Sequence, residues 1–377
     1  MNYQKFLKKI TNLEHSSLEK MRLTFVSLFI LVFGFIFQQF VFLDNSEKTS
    51  EKNLEPKNIT ASVAEVVNLN QEQGDISIND DTEKEESQNL SNEISEKTPL
   101  IKSDFFGQDT NPNFLPIRDF SVSEVKYNAK SSIVVSQDGK ILHKDNIDER
   151  LQIASLTKFL VGIIVTENLK KDDIITINES AILTDGISGR FKVGEKIKVE
   201  NLLKIMLVVS SNDAAVAFSE HFKSLDINMI ELMNKKMLEL GLNDTNFSNP
   251  VGFDDPNNFS TTRDYADLVL YSLNNEWLWS VLSIKDEIIK SDYSDAPNRR
   301  IISSDKLIFK DIWGILGGKT GYTPIAGGCL MVVFEVEGKN GRPNSKAVSV
   351  IFGAKDVQSR FDEMEKLINW IRGAYIF

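Results

Sequence analysis

The chain is 377 residues long, with 41% apolar residues and a formal net charge of −11. That apolar fraction can supply the core of one large domain or two, and the acidic balance argues against a nucleic-acid partner, for which a basic stripe is expected. The single cysteine, Cys329, forbids an intrachain disulfide, and His15, His143 and His221 do not stand at metal-ligand spacing, so a zinc peptidase is not expected; no metal or cofactor is assigned to the chain.

Residues 1–22 contain Lys5, Lys8, Lys9, Lys20 and Arg22. They precede "LTFVSLFILVFGFIFQQFVFL", Leu23 to Leu43, which carries no charge. At ~1.5 Å per residue this run spans roughly 30 Å, the thickness of a bilayer's hydrocarbon core. Asp44 and Glu47 follow it. The charge asymmetry predicts a single-pass anchor with its N-terminus in the cytoplasm and the rest of the chain outside the plasma membrane. A cleaved signal peptide would have a shorter apolar core and a small-x-small site. The run ends in "QQFVFLDN", which offers no such site.

Residues 44–111 read as a disordered acidic tether. From Asp44 to Asp109 there are 16 acidic and 6 basic residues, and no aromatic stands before Phe105. Such a segment cannot bury enough apolar area to offset its ordering entropy. As a flexible chain it would span roughly 45 Å. It is expected to hold a domain off the membrane.

The folded domain is expected over residues 112–377. "SSIVVSQDGKILHKD" predicts a hairpin about Asp138-Gly139. A mostly helical block follows, in which "ENLLKIMLVVS", "NDAAVAFSEHF" and "MIELMNKKMLELG" show helical spacing. Strand patterns return in "WGILGGKTGYT", "GGCLMVVFEVEG" and "KAVSVIFGA", and "VQSRFDEMEKLINWIRGAY" closes the chain as an amphipathic helix. The expected fold is mixed α/β (α+β): a mainly antiparallel sheet built from both ends of the domain, flanked by helices, with an all-helical subdomain inserted.

Three short motifs stand in order. "IASLTK" puts Ser155 and Lys158 one helical turn apart, where an amine can take the serine's proton if it is neutral. The same S-x-x-K spacing recurs at Ser17, Ser123 and Ser303, but only Ser155 opens an apolar helix, whose N-terminus suits developing negative charge. "SSNDAA" places Ser210 and Asn212 between two helices, with Asn212 or Asp213 expected to cap the second. "GGKTG" presents Lys319, Thr320 and Gly321 on a strand. The lysine offers a cation for a carboxylate, and Gly321 would let a substrate backbone lie alongside as an added strand.

This ordered set is the one found in penicillin-binding proteins and class A β-lactamases. The chain resembles the low-molecular-mass penicillin-binding proteins that are serine D-alanyl-D-alanine carboxypeptidases. The likeness extends through "FKVGEKIKVENLLKIMLVVSSNDAA", "LELGLNDTNFSNPVGFDDPNNFSTTRDYADL" and "LGGKTGYTPIAGGCLMVV", roughly Phe120 to Tyr375. It implies a β-lactamase/DD-peptidase-like fold and a peptidoglycan stem peptide ending in acyl-D-Ala-D-Ala as substrate, with β-lactams as covalent inhibitors. By the same resemblance Ser155 is the nucleophile, Lys158 its base and Ser210 a proton relay to the leaving amine. Asn212 holds the substrate peptide, Lys319 and Thr320 bind its terminal carboxylate, and the backbone N–H groups of Ser155 and Tyr322 form the oxyanion hole.

Many relatives carry a further β-rich domain and a C-terminal membrane-docking helix. The sequence stops at Phe377, so both are expected to be absent, with attachment at the other end. A β-lactamase would need a carboxylate base on an E-x-x-x-N loop. Glu239 and Asn243 have that spacing, but Glu239 lies in a predicted helix stopped by Gly241, so a solvated role is expected. A transpeptidase, an endopeptidase or a catalytically inactive wall-binding module are the remaining alternatives.

Overall fold

The computed structural model describes residues 115–377, apart from 292, 294, 295 and 311. The expected cytoplasmic segment, anchor and tether (residues 1–111) lie outside the described residues. Among the described residues no helix is long and apolar enough to cross a membrane.

The strands are β1 (Ile117–Arg118), β2 (Ser131–Ser136), β3 (Ile141–Asp145), β4 (Ile174–Thr176), β5 (Lys196–Lys198) and β6 (Asp286–Ile289). They continue as β7 (Arg299–Ile302), β8 (Ile315–Thr323), β9 (Gly327–Val336), β10 (Ser345–Ala354) and β11 (Tyr375–Ile376). The helices are α1 (Thr157–Asn168), α2 (Glu179–Ile182), α3 (Val199–Val208) and α4 (Asn212–Lys223). After these come α5 (Met229–Glu239), α6 (Thr262–Ser272), α7 (Glu276–Leu282) and α8 (Ser359–Ala374).

Five strands form one antiparallel sheet in the order β3-β2-β10-β9-β8. Two come from the start of the domain and three from its end, as the strand patterns predict. The first and last strands also meet, with Ile117 opposite Ile376 in a two-stranded ribbon. The β2–β3 hairpin turns at Gly139, whose φ of 76° suits glycine.

The apolar run "CLMVVF" on β9 lacks a polar face because the sheet is covered on both sides. Side chains alternate across a strand, so Leu330, Val332 and Phe334 pack with Phe361, Met364, Leu367 and Ile368 of α8. Cys329, Met331 and Val333 face the opposite way and join a larger core with α1, α3, α4 and α6. Helix α1 is buried from Thr157 to Val165 and lies in the middle of this second layer. A helix apolar all round is one placed in a core.

The inserted block is helical apart from two ribbons, β4–β5 and β6–β7, each of two short strands. The chain enters it after β3 and leaves it before β8. That leaves β8 at the sheet edge, where Gly321 faces the turn before α1.

Candidate active site

Ser155 sits in a 3-10 turn, Ala154–Leu156, that runs straight into α1. The turn opens at Ala154 with φ of 50°, a strained value for a residue with a Cβ. Lys158 lies one turn on, its Nζ 2.9 Å from Ser155 Oγ. The same Nζ donates to Val251 O at 2.6 Å. Lys158 is fully buried, and burial together with the nearby Lys319 cation pushes its pKa well below the usual lysine value, against the pull of Asp213. Both influences favour the neutral amine beside the Ser155 hydroxyl.

Ser210 leaves α3 at φ of 67°, so it too occupies the left-handed region. Its Oγ accepts a hydrogen bond from Lys319 Nζ at 2.8 Å. The cap of α4 differs from the expectation: Ser211, not Asn212 or Asp213, is the N-cap, its Oγ accepting from Ala214 N. Asp213 shares that N–H, accepting from Ala214 N at 2.9 Å, and reaches beyond the helix as well. Its carboxylate accepts from Ser188 Oγ and Gly189 N, both on the loop between α2 and β5. Asn212 binds that loop too, through its backbone N–H to Ile187 O and its Nδ2 to Asp185 O, both at 2.7 Å. Arg299 on β7 closes the loop from behind, pairing with Glu195 at 2.7 Å and donating to Gly189 O at 3.0 Å.

On β8, Lys319 is 1% exposed. Its Nζ reaches Thr320 O at 3.0 Å as well as Ser210. Burial and the Arg360 guanidinium push Lys319 down to about 7, with the Asp305 carboxylate opposing them. The structure gives Lys319 a hydrogen-bond partner, Ser210, that the sequence does not show. Thr320 Oγ1 lies 2.9 Å from Ser304 Oγ.

A Cβ at Gly321 would stand 2.7 Å from Ile153 O and 3.1 Å from Ser155 N. The protein's own Ser155 turn therefore already requires a glycine at this position. Gly252, with φ of 83°, meets that turn from the other side, where a Cβ would collide with Ala154 O. The turn is thus wedged between two glycines. Tyr322, adjoining Gly321 on β8, is exposed.

Hydrogen bonds therefore join Ser155 to Lys158 and Lys319 to Ser210, and Gly321 lies against the Ser155 turn. Three participants escaped sequence reasoning: the Val251 carbonyl, Ser304, and Arg360, whose guanidinium donates to Gly321 O at 2.6 Å. Only the sequence around each could have signalled them, and an S-x-x-K beginning at Ser303 was the sole hint. Glu239 is an exposed residue of α5 beside Lys235 and Lys236, which accords with a solvated role. Among the described residues no group of His, Cys, Asp and Glu could hold a metal ion.

A serine hydrogen-bonded to a fully buried lysine, on an antiparallel sheet backed by helices, is the arrangement of a serine hydrolase of the DD-peptidase and penicillin-binding fold. The comparisons make this specific. Residues 118–356 match the D-alanyl-D-alanine carboxypeptidase family, peptidase family S11, and the chain belongs to that family. It is 30% identical over 259 residues to the D-alanyl-D-alanine carboxypeptidase DacF of Bacillus subtilis, covering 67% of this chain and 64% of the relative. It is 32% identical over 264 residues to DacA of Haemophilus influenzae, covering 67% and 63%. These matches span less than two thirds of the relatives' own length. The fold is similar to that of the Streptomyces K15 DD-transpeptidase, with a TM-score of 0.61 at 22% identity, over 67% of this chain and all of that one.

Proposed function

We propose that this chain is a membrane-anchored D-alanyl-D-alanine carboxypeptidase that removes the terminal D-alanine from peptidoglycan stem pentapeptides. The observation that carries the reading is the 2.9 Å approach of Ser155 Oγ to the buried Lys158 amine. A serine becomes nucleophilic when an adjacent base takes its proton, and burial favours the neutral form of this base.

Lys158 Nζ accepts the Ser155 hydroxyl proton as Oγ bonds to the carbonyl carbon of the penultimate D-alanine. The backbone N–H groups of Ser155 and Tyr322 hold the developing oxyanion. Collapse of the tetrahedral species breaks the C–N bond. Ser210, bonded to Lys319, passes a proton to the leaving amine and is resupplied with the proton that Lys158 took from Ser155, so Lys158 is again neutral, free D-alanine departs and an acyl ester remains on Ser155. Water then adds to the ester, its proton going to Lys158. The ester bond breaks, Ser155 regains its proton and the shortened peptide is released. Asn212 holds the peptide, and Lys319 with Thr320 holds the terminal carboxylate. β-Lactams acylate the same serine. Neither a cofactor nor a nucleic acid takes part.

The uncharged Leu23–Leu43 run, with basic residues before it and acidic ones after it, supports a single-pass anchor in a bacterial plasma membrane. The catalytic domain then stands on the extracytoplasmic face, with residues 44–111 as its tether. Incubation of the purified protein with an acyl-D-Ala-D-Ala peptide tests the activity. Released D-alanine is the expected product. Cleavage of a cross-linked dimer with no release from the monomeric peptide would make it an endopeptidase, and transfer to an added amine a transpeptidase.

A further inference from the structure

We propose that Ser304 is a positioning residue that orients the Thr320 hydroxyl toward the substrate carboxylate. The inference rests on the proposed function, in which Thr320 and Lys319 hold that carboxylate. Ser304 Oγ and Thr320 Oγ1 are 2.9 Å apart, and Thr320 is 3% exposed. A hydroxyl carries one proton and two acceptor sites, whereas a carboxylate only accepts. The two hydroxyls can share their proton in two ways. If Thr320 donates to Ser304, it turns a lone pair toward the incoming anion. If Ser304 donates to Thr320, the Thr320 proton is free for the anion. A carboxylate selects the second arrangement, and a chain of two aligned hydroxyls is polarised in one sense.

The backbone around Ser304 fixes where its hydroxyl can be. Its own N–H donates to Val208 O at 2.9 Å, at the end of α3 and two residues before Ser210. Ser303 N–H donates to Lys285 O at 2.8 Å. Asp305 N–H donates to Ser303 Oγ, and the Asp305 carboxylate accepts from Leu307 N–H at 2.9 Å. The residues on each side are tied down, so Ser304 presents its hydroxyl to β8 from a fixed strut. The strut touches the segment leading to Ser210 and the strand carrying Lys319, so it sets the spacing of those two motifs as well as the direction of one proton.

A hydroxyl that merely fills space would affect all ligands alike; one that orients Thr320 matters only when the ligand carries the carboxylate. Benzylpenicillin and its methyl ester make the comparison, because both acylate a serine and only the first has the anion. The second-order acylation rate of Ser304→Ala by penicillin should fall about 3- to 10-fold, the range of one hydrogen bond. The rate with the ester should change less than about 2-fold, and Ser304→Thr should restore the penicillin rate to within about 2-fold. With an acyl-D-Ala-D-Ala peptide the loss should appear in KM rather than kcat. Equal losses on acid and ester, or an unchanged rate with penicillin, would overturn the proposal. D-alanine release by the wild type is scored separately. An enzyme that takes penicillin but releases no D-alanine would refute the carboxypeptidase reading and leave the Ser304 assignment standing.

Discussion

Lys158 and Lys319 are both buried, yet the mechanism asks opposite things of them. Lys158 must be neutral to take a proton; Lys319 must be charged to hold an anion. Burial lowers both, and Lys319 lowers Lys158 further by like-charge repulsion. For the free enzyme kcat/KM should therefore fall at low pH as Lys158 protonates, and fall above about 7 as Lys319 loses its proton. Lys319→Ala removes the alkaline limb. It also removes the repulsion that depresses Lys158, so the acid limb moves up and the optimum shifts to higher pH. The lost charge-assisted bond is worth ~1.5–3 kcal/mol, or about 10- to 150-fold in kcat/KM. A substrate with an amidated C-terminus is the control: equal losses on acid and amide would show that Lys319 does not read the carboxylate.

The same depressed pKa bears on stability. Lys319 titrates at about 7 when folded and near 10.4 when unfolded. Between those values the unfolded chain binds more protons, so stability rises with pH across this window, and the penalty is fully present below it. Lys319→Met should raise the Tm at pH 6 and flatten its rise between pH 7 and 9. Calorimetry across that range, showing wild-type and variant curves that stay parallel, would contradict this account of the buried lysine.

At the scale of elements, the site depends on how closely β8 approaches the turn before α1. Gly321→Ala would set a Cβ against Ile153 O and Ser155 N, both backbone atoms with no rotamer to yield. Strand and turn must then separate. A displacement near 1 Å at a reacting group can cost about 10²-fold in rate, so kcat should fall by that order while overpacking destabilises the fold by about 1–3 kcal/mol. Penicillin acylation and thermal melting of the variant check the two figures; acylation at the wild-type rate would show that the contact is not needed. Much of this layout was legible in the sequence. The β2–β3 hairpin, α3, α4, α5, α8 and the three long C-terminal strands follow from periodicity and turn residues. Ser155 could be singled out because it opens an apolar helix. The left-handed conformations of Ala154 and Ser210 were not legible, because nothing local requires them in residues with side chains. The Val251 carbonyl and Arg360 lie 93 and 39 residues along the chain from the groups they touch, and only the folded sheet and helices bring them there. The glycines of "GGKTG" did announce a close approach, but the sequence could not say which backbone would make it.

Over the whole molecule, the proposed arrangement is a catalytic domain held outside the membrane by an acidic tether. Protease added to intact spheroplasts should cut within residues 44–111 and release a soluble, penicillin-binding fragment. Mature protein beginning beyond Leu43 without added protease would show instead that the apolar segment is a cleaved signal.

The central claim is that Ser155 carries the acyl group. Intact-mass spectrometry after incubation with benzylpenicillin tests it most directly. The wild type should gain the mass of one penicilloyl group per chain, and Ser155→Ala should gain none. Stoichiometric labelling of the Ser155→Ala protein would contradict the account.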